Sequence, residues 1–306
     1  GQVTWDLEVV PNHVQRCHYL QGTSLFPNIM GYVLLLSKLS VLPPVSVCVI
    51  YSNLFVFKIV RQLSCYNFCI HIGDNNSVYT MMWHEGITGR GGNEIASAIL
   101  KAIQCKITPK RKLIVWSDNC SAQNKNKMLL FLWFYLIAKG FIDEVDQKYL
   151  VSGHSFLSCD RDFAQIEKRK RKCNCQVPLD LIKVIVSSRT DHPYIASIIE
   201  PSEFYDFATA SQETLITTKL QISKAQWIRI TKDKPGVVMT RRTFNDFEQW
   251  SESDIFRKKV NLNSFASFLQ PLHCISRLSA KKKKDLRDMM DYLKDENKPF
   301  YENLVR

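Results

Sequence analysis

Three short segments of this sequence gather the oxygen-bearing side chains that hard divalent cations prefer. They are Trp83-His84-Glu85-Gly86, Trp116-Ser117-Asp118-Asn119 with Gln123-Asn124, and Gly153-His154-Ser155 running through Asp160-Arg161-Asp162 to Glu167. Mg²⁺ and Mn²⁺ take one or two carboxylates from each of several elements, and substrate phosphates complete the shell. Asp118 is therefore a candidate ligand, and phosphodiester chemistry is the reaction such a site would serve. An acid at a strand end is more often solvated or capping than metal-binding, so spacing alone leaves both readings open.

The elements that must position these groups follow from hydrophobic pattern. Residues 65–72, CYNFCIHI, and 77–84 are rich in β-branched and aromatic types and flank Gly73-Asp74-Asn75-Asn76, which predicts a hairpin. A glycine-rich connection then leads to NEIASAILKAI, where Ile95, Ala98, Ile99 and Ile103 recur at helical spacing and Asn93 suits the cap. KLIVWS, 112–117, reads as a buried central strand that ends at Asp118. MLLFLWFYLIA is apolar nearly all round, the pattern of a deeply buried helix. A strand at 147–151, a polar helix at 160–172, a helix at 179–186, strands at 226–230 and 236–240 and a basic helix from Lys281 complete the series. That order predicts an α/β chain with a mixed sheet flanked by helices, and ligands of open α/β sheets gather beyond the C-terminal strand ends. The expected division is an N-terminal segment 1–62, a core 63–190 and an α+β extension 191–306 packed on it.

Composition narrows the partners. The 306 residues are 45% hydrophobic, enough to bury a substantial core, and Lys and Arg number 41 against 29 Asp and Glu. The net charge of +12 favours a polyanion such as nucleic acid, although the same charge also serves solubility. Ten cysteines without a CxxC fit packed thiols in a reducing compartment. The CxC at Cys173 and Cys175 falls short of a four-ligand zinc site. The most apolar stretch, 42–60, is broken by Pro43-Pro44, Asn53 and Lys58, which argues against a membrane span. Trp83, Trp116, Trp133 and Tyr135 lie mostly in apolar strand or helix patterns, where core packing outweighs base stacking.

WHEGITGRGGNEIAS, LIVWSDNCSAQNKNK and YLVSGHSFLSCDRDFAQIEK, preceded by RQLSCYNFCIH and followed at the C-terminus by KKKKDLRDMMDYLKDENKPFYENL, resemble successive blocks of an uncharacterised transposon-associated family of invertebrate genomes. The resemblance covers about 60 to 306 and implies a ribonuclease H-like fold related to DDE and DDD transposases. It implies that Asp118 is the acid ending the fourth strand and that the helix after the fifth strand supplies a further ligand. Asp162 is the first choice for that ligand, and Asp160 and Glu167 are alternatives. It also implies Mg²⁺ or Mn²⁺ as cofactor, with cleavage or strand transfer of DNA as the reaction. His154 would position a water or touch a phosphate, unless it bonds the backbone as a neutral loop histidine.

One position departs from that family. The family carries an Asp on its first strand, upstream of the RQL-like block, whereas no Asp or Glu occurs here from Val9 to Gly73. Segment 1–62 is accordingly expected to be divergent or misread through an intron. A two-ion site lacking one bridging carboxylate loses most of its rate. The expectation is a catalytically degenerate nuclease or transposase relative; the alternative is a non-catalytic domain that binds nucleic acid or protein. Lys168, Arg169, Lys170, Arg171 and Lys172 follow the acidic helix and could lie along DNA, could resemble a nuclear import signal, or could be a solvated helix end. Asn119, Gln123 and Asn124 are further candidate nucleic-acid contacts. Nuclear placement is expected on that run, and cytoplasmic otherwise.

Overall fold

The computed structural model describes residues 31–36, 40–42, 62–73, 75–106, 112–119, 124–150, 158–218, 220–274 and 278–306, with backbone alone for 31–36, 40–42, 105 and 106. His154, Gln123 and most of segment 1–62 lie outside the described residues.

The chain is mixed α/β. Strands β1 (Gly31–Leu36), β3 (Cys65–Ile72), β4 (Val78–His84), β5 (Lys112–Ser117) and β6 (Glu144–Tyr149) form the centre of one sheet in the order β4-β3-β1-β5-β6. β1, β5 and β6 run parallel, and β3 is antiparallel to both β1 and β4. β2 (Ser40–Leu42) pairs with β3. The C-terminal half extends the same sheet at both edges. β7 (Ile195–Ile198) lies parallel to β4, while β8 (Trp227–Thr231), β9 (Val237–Arg241) and β10 (Ser251–Asp254) continue antiparallel beyond β6.

Alternation on β3 shows how the sequence chooses its two faces. Tyr66, Phe68, Ile70 and Ile72 point into the larger core, and the odd positions Cys65 and Cys69 into a smaller one. Helices α1 (Gly92–Lys106) and α2 (Lys127–Ala138) cover the first face, with α5 (Phe207–Thr214) and α6 (Leu262–Phe265) packed outside α2. Being enclosed on all sides explains why α2 is apolar nearly all round; its Phe131 ring stacks 4.5 Å from that of Phe265. Asn126 caps α2 by accepting from the amides of Met128 and Leu129. Gly92 opens α1, where a Cβ would meet the flexible end of the Met128 side chain. Asn93 lies inside α1, and its side chain accepts from the Ala208 amide.

The second face holds α3 (Ser158–Lys170) and α4 (Pro178–Val186) against β3, β1 and β7. A third cluster joins Leu63 and Val177 to the C-terminal helices α7 (Ala280–Met289) and α8 (Lys298–Val305) through Leu286, Met289, Leu293, Tyr301 and Val305. Lys282 of α7 forms an ion pair with Glu85, so this basic turn is not wholly solvent-facing. β6 begins at Glu144 rather than at 147, because the acids that make its first half look like a loop are neutralised across the sheet. Asp146 meets Arg229 and Lys112 there, and Glu144 meets Lys112. Among the described residues no helix is long and apolar enough to cross a membrane.

Candidate functional site

Asp118 stands one residue past β5 and is buried. Its Oδ1 accepts a 2.7 Å hydrogen bond from Nδ2 of the fully buried Asn124. The loop bearing it is fixed from below, since Gln147 Nε2 donates to Ser117 Oγ at 3.0 Å and the Leu150 amide to Ser117 O at 2.9 Å. Tyr149 adds a bond from its hydroxyl to the Asn124 carbonyl at 3.2 Å. Asn124 therefore orients the acid. Asn119, half-buried, accepts from Lys125 Nζ at 2.8 Å. Lys125 itself is buried, donates also to the Ser223 carbonyl and lies 4.8 Å from the Tyr149 ring; burial lowers its pKa to about 8.

Asp162 projects from α3 into the second face. Its Oδ2 lies 2.9 Å from His71 Nδ1, its Oδ1 lies 3.2 Å from the Tyr194 hydroxyl, which is closer still to Gln165 Oε1, and Arg189 Nη1 is 4.0 Å away. Each oxygen thus has a polar neighbour that orients the carboxylate, and each keeps a free lone pair. Burial and the neighbouring Asp162 charge together raise the Tyr194 phenol far above its ordinary range, so it remains a donor.

Register relates the two acids. Leu36 of β1 pairs with Ser117 on one side and Ile70 on the other. Asp118 and Cys69 therefore lie one step beyond the same row, two strand spacings or about 10 Å apart. An Asp162 carboxylate oxygen is within 4.8 Å of Cys69 Sγ. The fold brings both acids to the same end of the sheet. The strand between them, GYVLLL, supplies no carboxylate.

The remaining residues of the predicted set are spread more widely. Asp160 is half-buried in the first turn of α3. Glu167, also half-buried, sits five residues beyond Asp162, about 7.5 Å along the axis and about 140° around it, and so faces away from the His71 contact. Lys168, Arg169, Arg171 and Lys172 are exposed, whereas Lys170 is buried among α3, Cys65 and Cys175.

A second constellation escaped sequence reasoning. Helix α2 packs on β8 from the first face of the sheet, the side to which Ile228 and Ile230 point. The opposite face of β6, β8 and β9 carries alternating cations and rings. Lys148 Nζ lies 5.1 Å from the Trp116 ring and 4.0 Å from that of Trp227. Arg229 and Arg241 lie over Trp250 at 4.9 and 4.2 Å, and Phe244 packs against Trp116 at 5.4 Å. Trp83 and Trp133 are core residues as expected, but Trp116 is only half-buried. Burial depresses the Lys148 ammonium below its ordinary range. The signal was present in the odd positions Trp227 and Arg229, but it becomes legible only once β6 and β8 are known to be neighbours.

Comparison with known proteins adds a family and no activity. No curated protein and no solved structure matches the chain. A family model described as a domain of unknown function, DUF7869, matches residues 71–248, which include β4 to β9, Asp118, Asp162 and the cation-ring strands. Over that majority of its length, the chain belongs to the DUF7869 family.

Proposed function

We propose that this chain is a ribonuclease H-like domain, descended from a transposon-encoded nuclease or transposase, that binds nucleic acid, DNA in particular, without cutting it efficiently. The observation that carries the proposal is the face of interleaved cations and rings that ends beside Asp118: Trp116 lies two residues before the acid, and Lys148, Trp227, Arg241 and Trp250 continue outward from it. Aromatic rings stack on bases and cations follow the phosphates, which is the combination single strands require. A phosphate would supply an anion to the desolvated Lys148.

Ancestry is supported by placement. Counting β1, β3, β4, β5 and β6 as the core strands, Asp118 ends the fourth and α3 follows the fifth, the two positions that the family resemblance gives to metal ligands. Weak catalysis follows from the same arrangement. β1, the strand between Asp118 and Asp162, has no acid to bridge two ions. Asp118 alone would hold one Mg²⁺ or Mn²⁺ loosely and could not clamp two. The exposed Lys168, Arg169, Arg171 and Lys172 would lengthen the binding track or serve nuclear import.

Fluorescence anisotropy with a labelled single-stranded DNA tests the reading. Binding should be independent of sequence and weaken steeply between about 50 and 200 mM salt, because each phosphate contact releases counterions. Absence of binding at the lower salt, or affinity that ignores salt, rules the proposal out.

A further inference from the structure

A separate cluster lies where α3 crosses β3. Cys69 and His71 are two residues apart on a strand and so point to the same side; Cys159 and Asp162 are three apart on a helix and share a face. The two pairs face each other. Cys69 Sγ, Cys159 Sγ and an Asp162 carboxylate oxygen lie within 4.8 Å of one another, and all three residues are buried. Their surroundings are otherwise mostly apolar, with Val78, Met82, Leu150, Ile166 and Leu181 in the same cluster.

Two thiols and a carboxylate are zinc donors in kind, and three protein ligands leave the fourth tetrahedral position to a water. Around a tetrahedral ion with Zn–S of about 2.3 Å and Zn–O of about 2.0 Å, neighbouring donor atoms stand about 3.3 to 3.8 Å apart. The cluster, whose donor atoms lie within 4.8 Å of one another, therefore needs to tighten by about 1 Å to hold the ion. His71 already holds the carboxylate by its 2.9 Å contact, the outer hydrogen bond that orients ligating acids. Arg189, 4.0 Å from Asp162 Oδ1, offsets the surplus negative charge of two thiolates and a carboxylate around a divalent ion.

We infer that Cys69, Cys159 and Asp162 bind one soft divalent cation, zinc by its chemistry, which fastens α3 to β3. Binding displaces the two thiol protons to solvent, forms two metal–sulfur bonds and one metal–oxygen bond, and changes no oxidation state. The site lies apart from Asp118 and does not depend on the nucleic-acid reading. It gives Asp162 a structural duty that a hard-metal nuclease site would not require.

Cobalt titration of the full chain under reducing conditions provides the test. One equivalent of Co²⁺ should produce a thiolate-to-cobalt charge-transfer band that Zn²⁺ abolishes by displacement. Asp118→Ala should keep the band, and Cys69→Ser and Cys159→Ser should each weaken or remove it. A Cys173→Ser/Cys175→Ser variant should behave as wild type. Should the cysteine variants fail to fold, zinc-edge X-ray absorption of the wild-type protein must find two sulfurs bound to the ion. No charge-transfer band, a band that survives in Cys69→Ser/Cys159→Ser, or a sulfur-free zinc environment would each overturn the inference.

Discussion

Asp146→Ala is expected to cost about 3 kcal/mol of folding stability, or roughly 5 °C in Tm. Asp146 is 2% exposed and stands at the centre of a buried network. Its Oδ1 accepts from Arg229 Nε at 2.7 Å and Trp227 Nε1 at 2.9 Å, while Oδ2 meets Arg229 Nη2 at 2.9 Å and Lys112 Nζ at 3.0 Å. Removing the acid leaves the Trp227 indole N–H without its acceptor and leaves Arg229 and Lys112 with Glu144 as their remaining carboxylate. The side chains of Arg229 and Lys112 remain 25% and 29% exposed, so water relieves part of the penalty and the lower end of the range for broken buried pairs applies. Burial alone would raise this carboxyl's pKa, but its Arg229, Trp227 and Lys112 partners hold it below the ordinary range. Its contribution is consequently complete above the unfolded carboxylate pKa near about 4 and disappears as pH falls through the lower folded value. Thermal melts of Asp146→Ala and of Asp146→Leu/Arg229→Met check this. The double variant should recover most of the loss, and equal destabilisation of both would show that packing, not charge pairing, sets the cost.

Trp250→Ala should weaken single-stranded DNA binding by about 5- to 150-fold, the roughly 1–3 kcal/mol that one base stacked on an aromatic ring contributes. Trp250 is half-buried and is covered by Arg229 and Arg241 on the face away from α2, and its ring centroid lies 5.1 Å from that of Trp227. Lys148→Glu/Arg241→Glu should act differently: it should lower the slope of log affinity against log salt by about two, one for each phosphate no longer neutralised. Trp250→Ala removes the ring under Arg229 and Lys148→Glu adds a carboxylate near Asp146, so far-UV circular dichroism must show each variant folded before its binding is compared. If both variants bind as wild type, the nucleic acid follows another surface, and the exposed basic end of α3 becomes the one to test.

What is legible in the sequence follows hydrophobic period. CYNFCIHI, KLIVWS and MLLFLWFYLIA form β3, β5 and α2 with bounds matching to within a residue, because each buries faces whose pattern no alternative element satisfies. The start of β6 is not legible in this way, since EVDQKY carries charges that only Arg229 and Lys112, from other strands, can offset. The site is legible in part for the same reason. Asp118 at a strand end can be read locally. The engagement of Asp162 by His71 and Tyr194 cannot, as those partners lie 91 and 32 residues away and nothing in their own segments announces the contact. The cation-ring face likewise depends on β6, β8 and β9 becoming neighbours.

On the proposed reading, the cation site at the end of β5 retains one usable carboxylate. Calorimetric titration of the full chain with Mn²⁺ tests this most directly. A weak, single-ion isotherm that vanishes in Asp118→Ala is expected; tight binding of two ions that depends on Asp118 would contradict it.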